Sequence, residues 1–377
     1  MLVLPPVDSY KLRNPDDLLT PALLIYPEVV DANVTATLKL IGGDPERWRP
    51  HTKTAKIASV IRLMIGRGIH NFKCSTTLEL LVGCQAGAPD VLLAYPVMGA
   101  NAARVLDIAN EFPDTRISVL IESRQQAEPW AGSAVDAFID INSGMNRTGI
   151  DANRTREIIG LAQHLGDQFR GLHFYDGHMA GIPADDRERA AHAGYDRLLE
   201  LIDTLERKNL NVAEVITSGT PAAPFAMSYE PFAGPSFIHR ISPGTVVYND
   251  LTSLEQLPQY GYAPAALVLS TVVSHPSTNT ITCDAGHKSV SADAGVPTCA
   301  LLDHPDLQPG KPSEEHLPIT GSHLPALGEH LYLLPRHVCP TVNNFDYAAM
   351  VVDGEIKRTE PVSARGHESL SPKHVVR

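Results

Sequence analysis

Positive charge, paired cysteines and long apolar runs are what this sequence has least of. Lys and Arg number 31 against 43 Asp and Glu, a formal net charge of −12. A nucleic-acid-binding surface needs clustered cations, so this balance excludes nucleic acid as a partner. The five cysteines, at 74, 84, 283, 299 and 339, are odd in number and show no C-x-x-C spacing. They predict reduced thiols in a cytoplasmic protein. No uninterrupted apolar run approaches the roughly 18–20 residues of a membrane helix, so no membrane association is expected. Residues Met1 to Pro6 lack a cationic region and are broken by Pro5 and Pro6, so no signal peptide is predicted.

What is present suffices for a full core. Apolar residues make up 43% of the 377, which excludes a disordered, collagenous or coiled-coil chain. At roughly 150 residues per domain, the length predicts two domains or one large barrel with an appendage. The 30 prolines fall mostly between apolar segments and punctuate the elements. Short β-rich runs at 48–53, 69–73, 91–95, 116–121, 135–141, 171–175, 212–217 and 237–241 alternate with helical stretches. Their near-continuous hydrophobicity is that of strands buried on both faces.

Thr76-Thr77-Leu78-Glu79 is a capping-box pattern. Tyr195, Leu198, Leu199, Ile202 and Leu205 share one helix face. Asp151 predicts a helix N-cap before Ile158 and Ile159. Eight such units predict an α/β fold, an N-terminal (β/α)8 TIM-type barrel over residues 20–255, with a doubly wound sheet as the alternative. Residues 256–377, joined by 1–19, predict a smaller, mostly β domain. Runs 265–274 and 279–283 are its strands, 305–318 is a polar proline-rich loop, and the tail from Ser363 is expected to be mobile.

In a barrel the chemistry sits where strands end. The first run ends in Arg49-Pro50-His51-Thr52-Lys53-Thr54, the fifth leads into Gly144-Met145-Asn146-Arg147-Thr148-Gly149, and the sixth ends in Tyr175-Asp176-Gly177-His178. The seventh and eighth lead into Ser218-Gly219-Thr220-Pro221 and Ser242-Pro243-Gly244-Thr245. Two such small-residue loops match the phosphate site of barrels, and a lysine ending the first strand could form a Schiff base with a phosphorylated aldehyde cofactor. Each element has a plainer reading: Lys53 as an ion-pair partner, the loops as turns, Arg147 as a rim cation. Their convergence on one ligand favours the functional reading.

His337-Val338-Cys339 predicts a second cluster. On an extended strand residues i and i+2 point to the same side, so an imidazole and a thiolate can reach one cation, zinc by preference. Taken alone, a small buried thiol and a satisfied core histidine account for these residues at least as well.

The series RPHTKT, GMNRTG, YDGH, SGTP, SPGT, DAGHK, SEEH and HVCPTVN, in that order, resembles the D-threonine aldolase and eukaryotic-type D-serine dehydratase family. These are alanine-racemase-like (fold type III) pyridoxal-phosphate enzymes, and the resemblance runs from about Pro21 to Gly354. It implies that Lys53 carries the cofactor, that Arg147 approaches its phenolate oxygen and that Tyr175 lies against its ring. It further implies that Ser218, Gly219, Thr220, Gly244 and Thr245 hold the phosphate, and that His337 and Cys339 bind a divalent metal (zinc, manganese or magnesium). A homodimer with shared active sites and a small amino acid substrate follow from the same likeness. The chain departs from the pattern at Ala55, where histidine is common, and at Leu317, where glycine is frequent. Position 339 is Cys, as in dehydratase-type members, where well-known aldolase members have Asp.

The expected activity is therefore retro-aldol cleavage of D-β-hydroxy amino acids to glycine and an aldehyde. Dehydration of D-serine-type substrates to a keto acid and ammonia is the alternative, with His178 a candidate base. An amino acid racemase and a non-catalytic pyridoxal-phosphate-binding protein are more remote. The first would leave the His/Cys pair without a task, and the second is a barrel alone.

Overall fold

Runs of aliphatic and β-branched residues too short for helices build the first of two structural units. In the computed structural model, which describes residues 4–234 and 236–369, this unit comprises 38–53, 61–244 and 367–369. Seven parallel strands stand side by side in chain order: Asn71–Cys74, Asp90–Leu93, Arg116–Ile121, Asp136–Asn142, Phe169–Phe174, Glu214–Thr217 and Ile238–Ile241. Segment 48–51 bridges both edges, Trp48 to Ile241 and His51 to Lys73. Arg49 N donates to Ile241 O (2.9 Å) and Lys73 N to Pro50 O (2.9 Å). The sheet thereby closes into the expected barrel, and the doubly wound alternative falls away. Its first strand is reduced to two isolated bridges, and Pro50 has no N–H to extend the ladder.

The capping box forms. Thr76 Oγ1 accepts from Glu79 N (3.0 Å), while the Glu79 carboxylate accepts from Ser75 N (2.7 Å), opening helix Thr77–Gln85. Tyr195, Leu198, Ile202 and Leu205 form the buried face of helix Ala184–Glu206. The expected N-cap at Asp151 does not form. Helix Thr155–Leu165 has Arg154 as its N-cap, and Asp151 instead ends a two-residue bridge with its carboxylate accepting from Asn153 N. The short Asp side chain closes a local turn there rather than a helix end.

Charge and hydrophobicity alternate along the barrel interior. At its floor Arg49 bonds Asp90 (2.7 Å) and Glu214 (2.9 Å), and Arg170 joins the same two carboxylates. Arg240 lies 3.0 Å from Glu214 and 3.0 Å from Glu46. Above them Leu92, Leu120, Phe138 and Ile216 form an apolar layer. The guanidinium groups of Arg49 and Arg170 face the Phe138 ring, 5.9 and 5.3 Å from its centroid.

The second unit comprises 4–37, 54–60 and 245–366. The strand Ala266–Ser277 is its spine, pairing antiparallel with Ala22–Ile25, Thr280–Cys283 and His330–Pro335. Ala22–Ile25 in turn pairs in parallel with Tyr347–Val352, which pairs with Glu355–Pro361. Alternate residues supply two cores: Leu267 and Leu269 pack with Leu24, Tyr332 and Leu334, whereas Val268 and Val272 pack with Ile281, Leu317 and Leu331. Residues 22–37 and 245–255 belong with the sheet, because Ala22–Ile25 is one of its strands and Leu251 and Leu254 fill its core. Of the tail from Ser363, residues 370–377 lie outside the described residues, while Ala364 N donates to Lys56 O (3.0 Å).

Candidate functional site

The mouth of the barrel gathers cations. Lys53 is half-buried two residues beyond the bridge at His51, and its N–H donates to His51 Nδ1 (3.3 Å). Lys73 is the last residue but one of the neighbouring strand and is 2% exposed. Its Nζ lies 3.2 Å from His173 Nε2, and His173 Nδ1 lies 2.7 Å from Asp140 Oδ1. Burial and then the charge of Lys53 hold the Lys73 amine down at about 7, against the opposing pull of Asp140. Burial, followed by Lys73, likewise lowers His173.

Arg147 is exposed on a loop that its own side chains fasten. Asn142 Oδ1 accepts from Gly144 N (3.0 Å) and Asn146 N (3.1 Å), and Ser143 Oγ donates to Tyr175 O (2.6 Å). Gly149 closes the loop at φ +100°, where a Cβ would lie 2.6 Å from Asn142 N. No side chain fits there. The Arg147 guanidinium then sits 4.9 Å from the Tyr175 ring centroid, with Lys73 Nζ 5.3 Å from the same ring.

Tyr175 is slotted between glycines. A Cβ on Gly177 would stand 2.5 Å from its ring, and one on Gly219 2.9 Å. Gly219 N donates to Asp176 Oδ1 (3.3 Å), and Tyr195 Oη donates to Asp176 Oδ2 (2.7 Å). Burial raises this carboxyl to about 6 despite both donors. Ser218 takes φ +56° and its buried hydroxyl has no partner. Thr220 is buried beside it. At the eighth strand end Gly244 backs onto His51, where a Cβ would lie 2.4 Å from His51 O. Bare backbone and an unpartnered hydroxyl suit an anionic group such as a phosphate. His178 lines a cavity of about 460 Å3 with Asn142, Gly144, Asp176 and Arg197, its buried Nδ1 without a partner.

The expected strand geometry at residues 337–339 does not occur. The preceding strand ends at Pro335, His337 caps a short helix and Cys339 lies in its first turn, Val338–Asn343. Asp250 Oδ2 accepts from Val338 N (3.0 Å) and holds the helix start. The two side chains still meet. Although burial pulls the imidazole down, its hydrogen bonds to Cys339 and to Asp293 (2.6 Å) outweigh this and raise it to about 9. Cys339 Sγ also lies 3.1 Å from Thr54 Oγ1 and 3.7 Å from Thr245 Oγ1. An imidazole, a thiolate and a carboxylate behind the imidazole suit a zinc-type ion. Among the described residues no cluster of three or more His, Cys, Asp or Glu forms.

Sequence reasoning missed Lys73, Asp140 and the supports of Asp176. Lys73 and Asp140 lie near strand ends, yet nothing local to them signals chemistry.

A closed parallel barrel with an amine at its first strand end, followed by a mainly antiparallel sheet unit, is the alanine-racemase-like architecture. Residues 25–251 match the family described as "Alanine racemase, N-terminal domain", and 265–351 match "Putative serine dehydratase domain". The chain belongs to the alanine racemase N-terminal domain family, a membership that implies pyridoxal phosphate. D-threonine aldolase of Arthrobacter sp is 26% identical over 364 residues, spanning 92% of this chain and 93% of that protein. The crystal structure of D-threonine aldolase from Filomicrobium marinum superposes with a TM-score of 0.84 at 25% identity, covering 93% of this chain and 96% of the other. D-threo-3-hydroxyaspartate dehydratase from Delftia sp. HT23 shares the fold, with a TM-score of 0.80 at 21% identity over 93% and 98% of the two chains.

Proposed function

We propose that this protein is a pyridoxal-phosphate- and divalent-metal-dependent lyase that cleaves D-β-hydroxy amino acids of the threonine type to glycine and an aldehyde. One observation carries the reading. The same chain has a barrel mouth with a lysine beside bare-backbone loops and, in its sheet unit, a His337/Cys339 pair for which a racemase has no use.

Lys53 would tether the cofactor, and Ser218, Gly219, Thr220, Gly244 and Thr245 would receive its phosphate. Arg147 would neutralise the phenolate side, and Tyr175, fixed between two glycines, would pack against the ring. When bound, pyridoxal phosphate supplies an electron sink for a bond broken at Cα. His337 and Cys339 would hold the metal, which supplies Lewis-acid polarisation of a hydroxyl. His178, its Nδ1 unpartnered and its basicity lowered by burial, would be the base that accepts a proton from such a hydroxyl.

Cys339 favours a second reading. A soft thiolate and the match of 265–351 to a serine dehydratase domain both support dehydration to a keto acid and ammonia. We further infer a homodimer in the cytoplasm, on the likeness to the family and on five cysteines that form no disulfide.

Product analysis on a panel of D- and L-β-hydroxy amino acids, with and without chelator, tests the proposal. Glycine and aldehyde from D-substrates only, abolished by chelation while the protein stays yellow, are expected. Ammonia without glycine would transfer the assignment to the dehydratase. Racemisation alone, unaffected by chelation, would overturn both.

A further inference from the structure

A buried lysine normally finds a carboxylate, as the barrel-floor arginines do. Lys73 does not. Its Nζ meets the ring nitrogen of His173 at 3.2 Å, and the nearby acid, Asp140, is turned to the far side of that ring. Asp140 Oδ1 accepts a hydrogen bond from His173 Nδ1–H, which leaves Nε2 as a lone-pair acceptor, so Lys73 donates to it. The second Asp140 oxygen is buried without a partner. One of the three amine positions is thereby fixed, and two remain.

The backbone of Lys73 is fastened to the strand that leads to Lys53. Lys73 N donates to Pro50 O (2.9 Å), and Lys73 O accepts from Thr52 N (2.7 Å) and Thr52 Oγ1 (3.1 Å). The groups acting on its amine are the cations Lys53 and Arg147, Arg49 already paired at the barrel floor, the anions Asp140 and Asp176, neutral His173 and the Tyr175 ring at 5.3 Å. Neither carboxylate is bonded to the amine itself, a lack that no structural role requires.

We propose that Lys73 is a positioning residue of the active site, a second buried amine held by the His173–Asp140 pair that sets the charge presented beside Lys53 and Arg147. This rests on the assignment of Lys53 as the cofactor lysine. Because the Lys73 amine lies at about 7, its proton comes and goes around neutral pH and changes the local charge by one. Asp140 raises the amine, so removing the Asp140 charge moves this switch to lower pH.

The test is a pH titration of the visible absorbance of the cofactor-loaded protein. Wild type should show a transition near pH 7, Asp140→Asn should shift it downward, and Lys73→Met should lose it while still holding the cofactor. Lys73→Arg, charged throughout, should keep the low-pH spectrum across the range. An unchanged transition in Lys73→Met overturns the inference. Should that variant fail to fold, an unshifted midpoint in Asp140→Asn does so instead.

If wild-type protein takes up no cofactor at Lys53, the functional reading has failed separately. The apo-protein then decides on Lys73 by NMR of carbon-13-labelled lysines, with the signal assigned by its absence from Lys73→Arg. Titration near 7 supports an amine held apart from the rest, and titration with surface lysines near ~10.4 overturns it.

Discussion

The two ends of the barrel interior treat charge in opposite ways. At the floor three arginines meet two buried carboxylates in a network where every ion has a partner within about 3 Å, and Glu46 completes the balance at Arg240. There the opposed effects resolve in favour of the ions: burial would raise Asp90, but Arg49 and Arg170 bring it down to about 2. At the mouth the resolution is reversed. Asp176 receives two hydrogen bonds and no cation in contact, and burial lifts it to about 6. Lys73 has no carboxylate in contact and is pulled down to about 7. Matched buried charges are held at little net cost, whereas unmatched ones cost stability, and folds retain the latter where a ligand is to be bound or a proton moved.

The strongest way to break this contrast is at the floor. Glu214 accepts from Arg49 and Arg170 and pairs with Arg240. Glu214→Ala leaves three buried guanidinium groups sharing Asp90 and Glu46, and should lower unfolding stability by about 3–5 kcal/mol, the usual cost of stranding a buried ion. Urea denaturation at neutral pH measures it. A loss below about 1 kcal/mol would mean that the floor network contributes as little as surface pairs do.

At the mouth the corresponding change should have the opposite sign. The folded pKa of Asp176, about 6, lies above the unfolded value near ~3.9, so the folded state binds the extra proton between these limits. Stability is therefore lost as pH rises from about 4 to 6, and the whole penalty is present above 6. Asp176→Asn removes the charge while keeping an oxygen and an amide to meet Gly219 N and Tyr195 Oη. It should gain about 1–3 kcal/mol at pH 7.5 and nothing at pH 4, with weaker cofactor retention as the accompanying loss. Equal stability of variant and wild type at both pH values would show that the buried carboxylate carries no penalty.

How much of this contrast the sequence discloses depends on the range of each interaction. The barrel is legible because each strand is a local run of buried aliphatic residues, and 116–121 matches its predicted limits. Helix start Thr77 is legible because both halves of its cap lie within five residues. The His-x-Cys spacing at 337–339 suggests an extended strand, but Asp250, nearly ninety positions away, holds the Val338 N–H and turns the chain into a helix. Lys73, Asp140 and His173 stand far apart in sequence, and only barrel closure makes a cluster of them. The residue types at Lys53, Tyr175 and Ser218-Gly219-Thr220 could be read from their motifs. The lack of matched charge around them could not, since it is a property of what surrounds a group in space.

The smallest effect sharpens the comparison by asking whether position at the mouth is itself enough to matter. Thr76 lies three residues beyond Lys73, at the same end of the barrel, yet its hydroxyl only accepts the Glu79 N–H (3.0 Å). Glu79 answers by binding Ser75 through both its N–H (2.7 Å) and hydroxyl (3.0 Å), so the turn keeps a second fastening when the first is cut. Thr76→Ala should therefore cost about 1 kcal/mol, the ordinary value of an N-cap, read as a small fall in the urea midpoint with an unchanged slope. Because no ion is stranded, that cost should be the same at pH 5 and pH 7.5, unlike the pH-dependent gain in Asp176→Asn. The spectrum of the loaded protein should also titrate as in wild type. A shift of that titration in Thr76→Ala would mean that the switch at Lys73 is governed by the rigidity of the turn behind it, and that charge matching alone does not separate the two ends of the barrel.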